Sequence, residues 1–238
     1  MEIQELEKLI REKEGSFSLA FPALIRKVYV WMSLALAITG VTAYAVATSP
    51  TMLSLIFSNN LVRILLVVAV FGLVIGISAA IQRLSLATAT LLFVLYAVLN
   101  GAMLSSIFVV YSPTVITKVF FITAGTFAAM AAYGYFTRSD LSSMGKLLFM
   151  GLVGLVIATV VNIFLKSEGL DLILSYVGVA IFVGLTAWDT QKIKMMLAQC
   201  MDMGEGAQKL ALLGALTLYL DFINLFLYLL RIFGRSDD

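Results

Sequence analysis

Two aspartates stand in runs that are otherwise apolar. Asp221 lies in "LTLYLDFINLFLYLLRIFG" (Leu216–Gly234), and Asp189 lies at the rim of another apolar run, in "GLTAWDTQKIK" (Gly184–Lys194). An ionised Asp in hydrocarbon costs about 2.5–3.5 kcal/mol even on the lenient insertion scale, so each must be neutralised, paired or used. Their spacing suggests that they pair. Gly204–Glu205–Gly206 reads as a helix–helix turn, and each Asp lies sixteen residues from Glu205. At 1.5 Å per residue, both carboxylates then sit about 24 Å along two antiparallel helices, at one depth. Two carboxylates in contact cannot both ionise cheaply; the pair should share a proton and titrate as a unit. Without that proton it needs a cation: an Arg, a Lys, or a metal ion such as Ca²⁺.

The helix faces agree with this pairing. At 100° per residue, Gly214, Thr217, Asp221, Asn224 and Tyr228 fall within about 80° of one another. Such a polar stripe on an apolar helix should face the bundle interior or water. On the preceding helix Gly178, Phe182, Leu185 and Asp189 share a face, where the small Gly178 allows close approach. Arg83, in "IQRLS", is a candidate countercharge. The plainer alternatives are a rim ion pair of Asp189 with Lys192, and a structural polar contact at Asp221. Asn100, Ser105, Ser106, Tyr133 and Asn162 read first as interhelical hydrogen-bonding groups.

The elements that would position these groups are transmembrane helices. The 238 residues are 61% hydrophobic and 13% charged, with a mean hydropathy of +1.03. A soluble domain carries about 25% charge. Apolar runs of span length occur at Val28–Ala47, Leu61–Ile81, Leu86–Val110, Val115–Phe136, Leu147–Leu165, Leu172–Thr190 and Leu210–Phe233. They are separated by turn-rich or charged breaks, and Pro22, Pro50 and Pro113 lie outside their cores. No barrel-type alternation is present, so the expected fold is all-α: a polytopic membrane protein with a seven-transmembrane-helix bundle at 28–233.

With the N-terminus in the cytoplasm, eleven of the sixteen Lys and Arg residues fall on the inner side, which sets the orientation. Residues 1–27 are expected to form a cytosolic amphipathic segment rather than a signal peptide, despite the cleavage-like "AYAVA" at Ala43–Ala47. Residues 234–238 are a short polar tail. A full seventh span is preferred to a re-entrant hairpin, because Leu210–Phe233 has no Gly or Pro after Gly214.

Composition excludes several functions. A net charge of +2 without a basic, aromatic-studded patch gives no footprint for nucleic acid. There is no histidine and one cysteine, Cys200, which removes Ser-His and Cys-His catalysis, His-based zinc and any intrachain disulfide. An intramembrane aspartyl protease would also use two helix-borne aspartates. Here Asp221 sits in "YLDF", without the GxGD pattern of that class, and no "PAL" follows. The chain therefore reads as a non-enzyme.

"AWDTQKIK" (Ala187–Lys194) and "LYLDFINLFLYLLRIFG" (Leu218–Gly234) resemble the two C-terminal signatures of the Bax inhibitor-1 family, which includes bacterial YccA-like and YetJ-like proteins. "LNGAMLSSIF" (Leu99–Phe108) and "VNIF" (Val161–Phe164) are similar to its third and fifth spans. The resemblance implies a bacterial cytoplasmic-membrane protein whose last helix is central and surrounded by the other six. It implies a pH-sensitive calcium leak governed by Asp189 and Asp221, with Arg83 at the position of an arginine latch, although "QRLS" stands where the family has a more basic run. The second span, Leu61–Ile81, lacks the acidic residue that some members carry. The resemblance also implies a rival role: binding and modulating a membrane-bound AAA protease, through the cytosolic segment 1–27.

Overall fold

In a computed structural model of the chain, residues 3–200 and 202–234 are described, with side-chain surroundings from Ala20 onward. Every regular element among them is an α-helix: α1 (Ile3–Ala47), α2 (Pro50–Phe57), α3 (Asn60–Ala80), α4 (Leu86–Leu104), α5 (Ile107–Val110), α6 (Pro113–Phe136), α7 (Ser142–Leu165), α8 (Glu168–Leu197) and α9 (Glu205–Phe233). Among the described residues seven spans are long and apolar enough to cross a bilayer, with α4 and α5 together forming the third, Leu86–Val110. The chain is an all-α polytopic membrane protein.

Local chemistry sets many of the helix ends. Ser49, Asn59, Ser85 and Ser112 each accept a hydrogen bond from a backbone N–H of the helix that follows, and Pro50 and Pro113 open theirs. Lys166 closes α7 in the left-handed conformation, at φ 51°. The third span breaks at Ser105–Ser106, whose hydroxyls donate to the carbonyls of Ala102 and Met103.

Four expectations need adjustment. Pro22 lies inside α1, so the helix starts upstream of the apolar run that begins at Val28. Transmembrane helices tolerate such a proline because neighbouring groups re-satisfy the backbone it frees. The segment 48–60, read only as breaks, contains α2, because Ser49–Pro50 caps an apolar turn. α1 runs through Lys27 without a break, so the described backbone marks no boundary there. The side chains of residues 1–19, and residues 235–238 of the polar tail, lie outside the described residues.

The fourth concerns the last connection. α8 ends at Leu197 and α9 begins at Glu205, so the chain leaves α8 well before Gly204–Gly206. The i→i+3 bonds from Gln199 and Cys200 tighten the end of α8, and Asp202 Oδ1 accepts from the Gly204 N–H. Glu205 then stands in the first turn of α9, where the helix dipole favours an anion. α9 itself is unbroken, as a full seventh span requires and a hairpin does not.

The chain divides into two compact units, and the division runs through α8 and α9. The first holds the chain up to Ser106 with Ile193–Leu216. In it α4 packs against α1 and α3, and the Thr39 hydroxyl donates to the Ala97 carbonyl at 3.0 Å. The second holds Ile107–Lys192 with the chain from Thr217. In it Phe222 of α9 packs its ring against Phe120 and Phe127 of α6, 5.6 and 5.5 Å between centroids. Within the 18-residue apolar stretch of each span, the share of buried residues is 6% in α7 and 11% in α3, which leaves apolar side chains for lipid, and reaches 67% in α9. That is the rank expected of an inner last helix.

Candidate functional site

Asp189 of α8 and Asp221 of α9 both belong to the second unit. They are 7% and 5% exposed, and their carboxyl groups lie within hydrogen-bonding reach of each other. A carboxylate can only accept, so a bond between them requires a proton on one of the two. The second oxygen of Asp221, Oδ2, is buried without a hydrogen-bond partner.

The equal-arm geometry drawn from the sequence does not hold. Asp221 is sixteen residues from the start of α9, about 24 Å along it, but Asp189 is eight residues from the end of α8, about 12 Å. The carboxyls meet because α9 starts farther from the pair than α8 ends.

Small residues let neighbours close on α8. A Cβ on Gly134 of α6 would collide with the Ala187 backbone, and one on Gly145 of α7 with the Trp188 indole. Both contacts fall on the two residues just before Asp189. Towards the other end of α8, Gly178 lies under the Tyr228 ring, where a Cβ would come within 2.7 Å, and Phe182 stacks on that ring at 5.9 Å. The α8 face Gly178–Phe182–Asp189 thus meets the α9 stripe Asp221–Tyr228.

The other residues singled out from the sequence are more dispersed. Tyr228 lies near Thr159 and beside the Arg231 guanidinium, 5.3 Å from ring centroid to Cζ. Asn224 donates to the Leu220 carbonyl of its own helix, and the Asn162 side chain accepts from the Ser167 N–H, capping the α7–α8 turn. Asn100 is buried in α4, in the first unit, and Thr217 is half-buried in α9. Arg83 is exposed on the turn between α3 and α4, also in the first unit. Lys192 lies over the Trp188 ring, 4.9 Å from its centroid, and among the described residues makes no ion pair with Asp189.

Two neighbours of Asp189 were not singled out. Gln191 accepts from the Leu141 N–H at 2.9 Å and donates to the Ser139 carbonyl at 2.8 Å, fastening the α6–α7 connection to α8. In that connection, hydrogen bonds from the Ser142 side chain and backbone hold the Asp140 carboxyl below its ordinary value. The Thr190 hydroxyl is buried without a partner. Only the run "DTQ" hinted at either residue.

A resident metal does not fit this donor set well. Among the described residues no group of three or more Asp, Glu, Cys or His side chains converges. Ca²⁺ takes six to eight oxygens, more than two carboxylates supply by themselves.

Comparison with known proteins agrees with the fold and the motifs. The family described as "Inhibitor of apoptosis-promoting Bax1" matches residues 22–238. The chain is similar to the inner membrane protein YbhL of Escherichia coli strain K12, 51% identical over 88% of this chain and 90% of that protein. It is 47% identical to a Borreliella burgdorferi protein, over 90% and 92% of the two chains. A Rickettsia prowazekii protein is 43% identical over 95% of each. With seven spans, both C-terminal signatures and a family match over nearly its whole length, the chain belongs to the Bax inhibitor-1 family.

Proposed function

We propose that this protein is a pH-sensitive path for cations, calcium among them, across a bacterial inner membrane, and that the Asp189–Asp221 pair controls it. The supporting observation is the juxtaposition of two buried carboxyls on two spans. A proton shared there links α8 to α9. Its loss leaves two charges in a low-dielectric place, where their repulsion counts for more than in water. The helices then separate or take up a cation, and the oxygens that held the proton are hard ligands suited to Ca²⁺. Proton and cation thus compete for one pair. Arg83, exposed on its turn, is assigned as the latch cation for the deprotonated pair.

The test is calcium flux against pH in liposomes containing only this protein. Asp221→Asn and Asp189→Asn should each flatten the pH profile, because an amide does not titrate in this range. If both variants keep the wild-type profile, the aspartate switch is wrong. Binding to a membrane AAA protease then becomes the better reading, and deleting residues 1–27 should abolish that binding.

A further inference from the structure

One pair of side chains on the first turns of α9 holds both ends of the α3–α4 turn, within the first unit. The Leu86 N–H at the start of α4 donates to Glu205 Oε1 at 2.9 Å. Lys209 Nζ donates to the carbonyls of Gln82 and Leu84 beyond the end of α3, at 3.2 and 3.1 Å. Beside them Gln208 accepts from Lys27 Nζ of α1 at 2.7 Å and donates to the Met203 carbonyl.

The attraction between Glu205 and Lys209 explains little. Their charged atoms are 3.9 Å apart and the Glu205 side chain is 57% exposed, a geometry worth little in water. Their partners explain more. The Lys209 side chain, 11% exposed, brings a cation to carbonyls of the turn that follows α3, and Glu205 brings an anion to an orphan N–H at a helix N-terminus. The turn held in this way carries Arg83. The helix that holds it carries Asp221, twelve residues beyond Lys209 on the same unbroken rod.

We propose that Glu205 and Lys209 form a helix-end clamp that ties the α3–α4 turn, and Arg83 with it, to α9, so that a displacement of α9 at Asp221 is transmitted to Arg83. The clamp bears on function only through the role given to Asp221 above. Both are positioning residues; neither is assigned contact with the cation.

Gln82→Cys in a Cys200→Ser background reports on the turn, because Gln82 is exposed and only its carbonyl joins the clamp. The measurement is the rate of N-ethylmaleimide labelling in nanodiscs. Lys209→Met and Glu205→Gln should each raise the rate several-fold. The exchanged pair, Glu205→Lys with Lys209→Glu, should raise it at least as much, because it sets the wrong charge at each end of the turn. Leu86→Pro removes the donor N–H at a first helical position that accepts proline and leaves α9 untouched, so it should give the same rise even if an α9 variant folds poorly. Asp221→Asn should change the rate with the clamp intact and leave it unchanged in Lys209→Met, a double-mutant test of coupling. If the exchanged pair restores the original rate, Glu205 and Lys209 are an ordinary ion pair and the clamp is refuted. It is refuted too if Asp221→Asn acts equally in both backgrounds or in neither. Loss of pH-dependent flux with this coupling intact would remove the cation reading alone.

Discussion

At the scale of single residues, an Asp189–Asp221 bond depends on a donor, and an amide can replace that donor where a methyl cannot. Asp221→Asn keeps an N–H to give to Asp189, so its thermal stability in detergent should stay near that of the parent. Asp221→Ala leaves Asp189 buried and unbonded, which should cost about 1–3 kcal/mol. Equal melting temperatures for the two variants would show that the bond does not hold the helices together. The pair was legible in the sequence because charge in hydrocarbon is expensive and must be explained. Gln191 and Thr190 were not, because an amide and a hydroxyl near the end of a span carry no such cost and leave no mark on hydropathy.

At the scale of elements, hydropathy located all seven spans but not every helix end. The α8–α9 connection was misplaced because Gly204–Glu205–Gly206 looks like a turn, while the chain turns earlier and Glu205 already serves as the first residue of α9. The short α2 and the break at Ser105–Ser106 were missed because neither changes the apolar character of its run. Close packing on α8 rests on Gly134 and Gly145, for which only the general enrichment of small residues at helix contacts gave warning. Gly134→Val or Gly145→Val should push α6 or α7 away from α8 and lower stability by about 1–3 kcal/mol. Gly125→Val, in α6 with no neighbour within 4 Å of its added carbon, is the control and should leave the melting temperature unchanged. A similar loss in all three variants would point to helix propensity rather than packing.

At the scale of the whole molecule, seven crossings would put the two ends of the chain on opposite faces of the membrane. The excess of Lys and Arg on one side then predicts a cytoplasmic N-terminus. Reporter fusions at Met1 and Asp238 should give a cytoplasmic signal for the first and an external one for the second; matching signals would rule out seven crossings. The burial of α9 has a further consequence, for biogenesis. A chain is made from its N-terminus, so α8 enters the bilayer before α9 has left the ribosome. During that interval Asp189 has no carboxyl to bond with and must stay protonated or hydrated. Lying about 12 Å from the end of α8 keeps it near enough to the interface for water to reach. The six earlier spans must meanwhile wait with the surfaces that α9 will cover still open, in the care of the insertion machinery. A nascent chain arrested at Gly204 would display those surfaces and an unmatched carboxyl together, the signature by which membrane quality control should recognise it as incomplete.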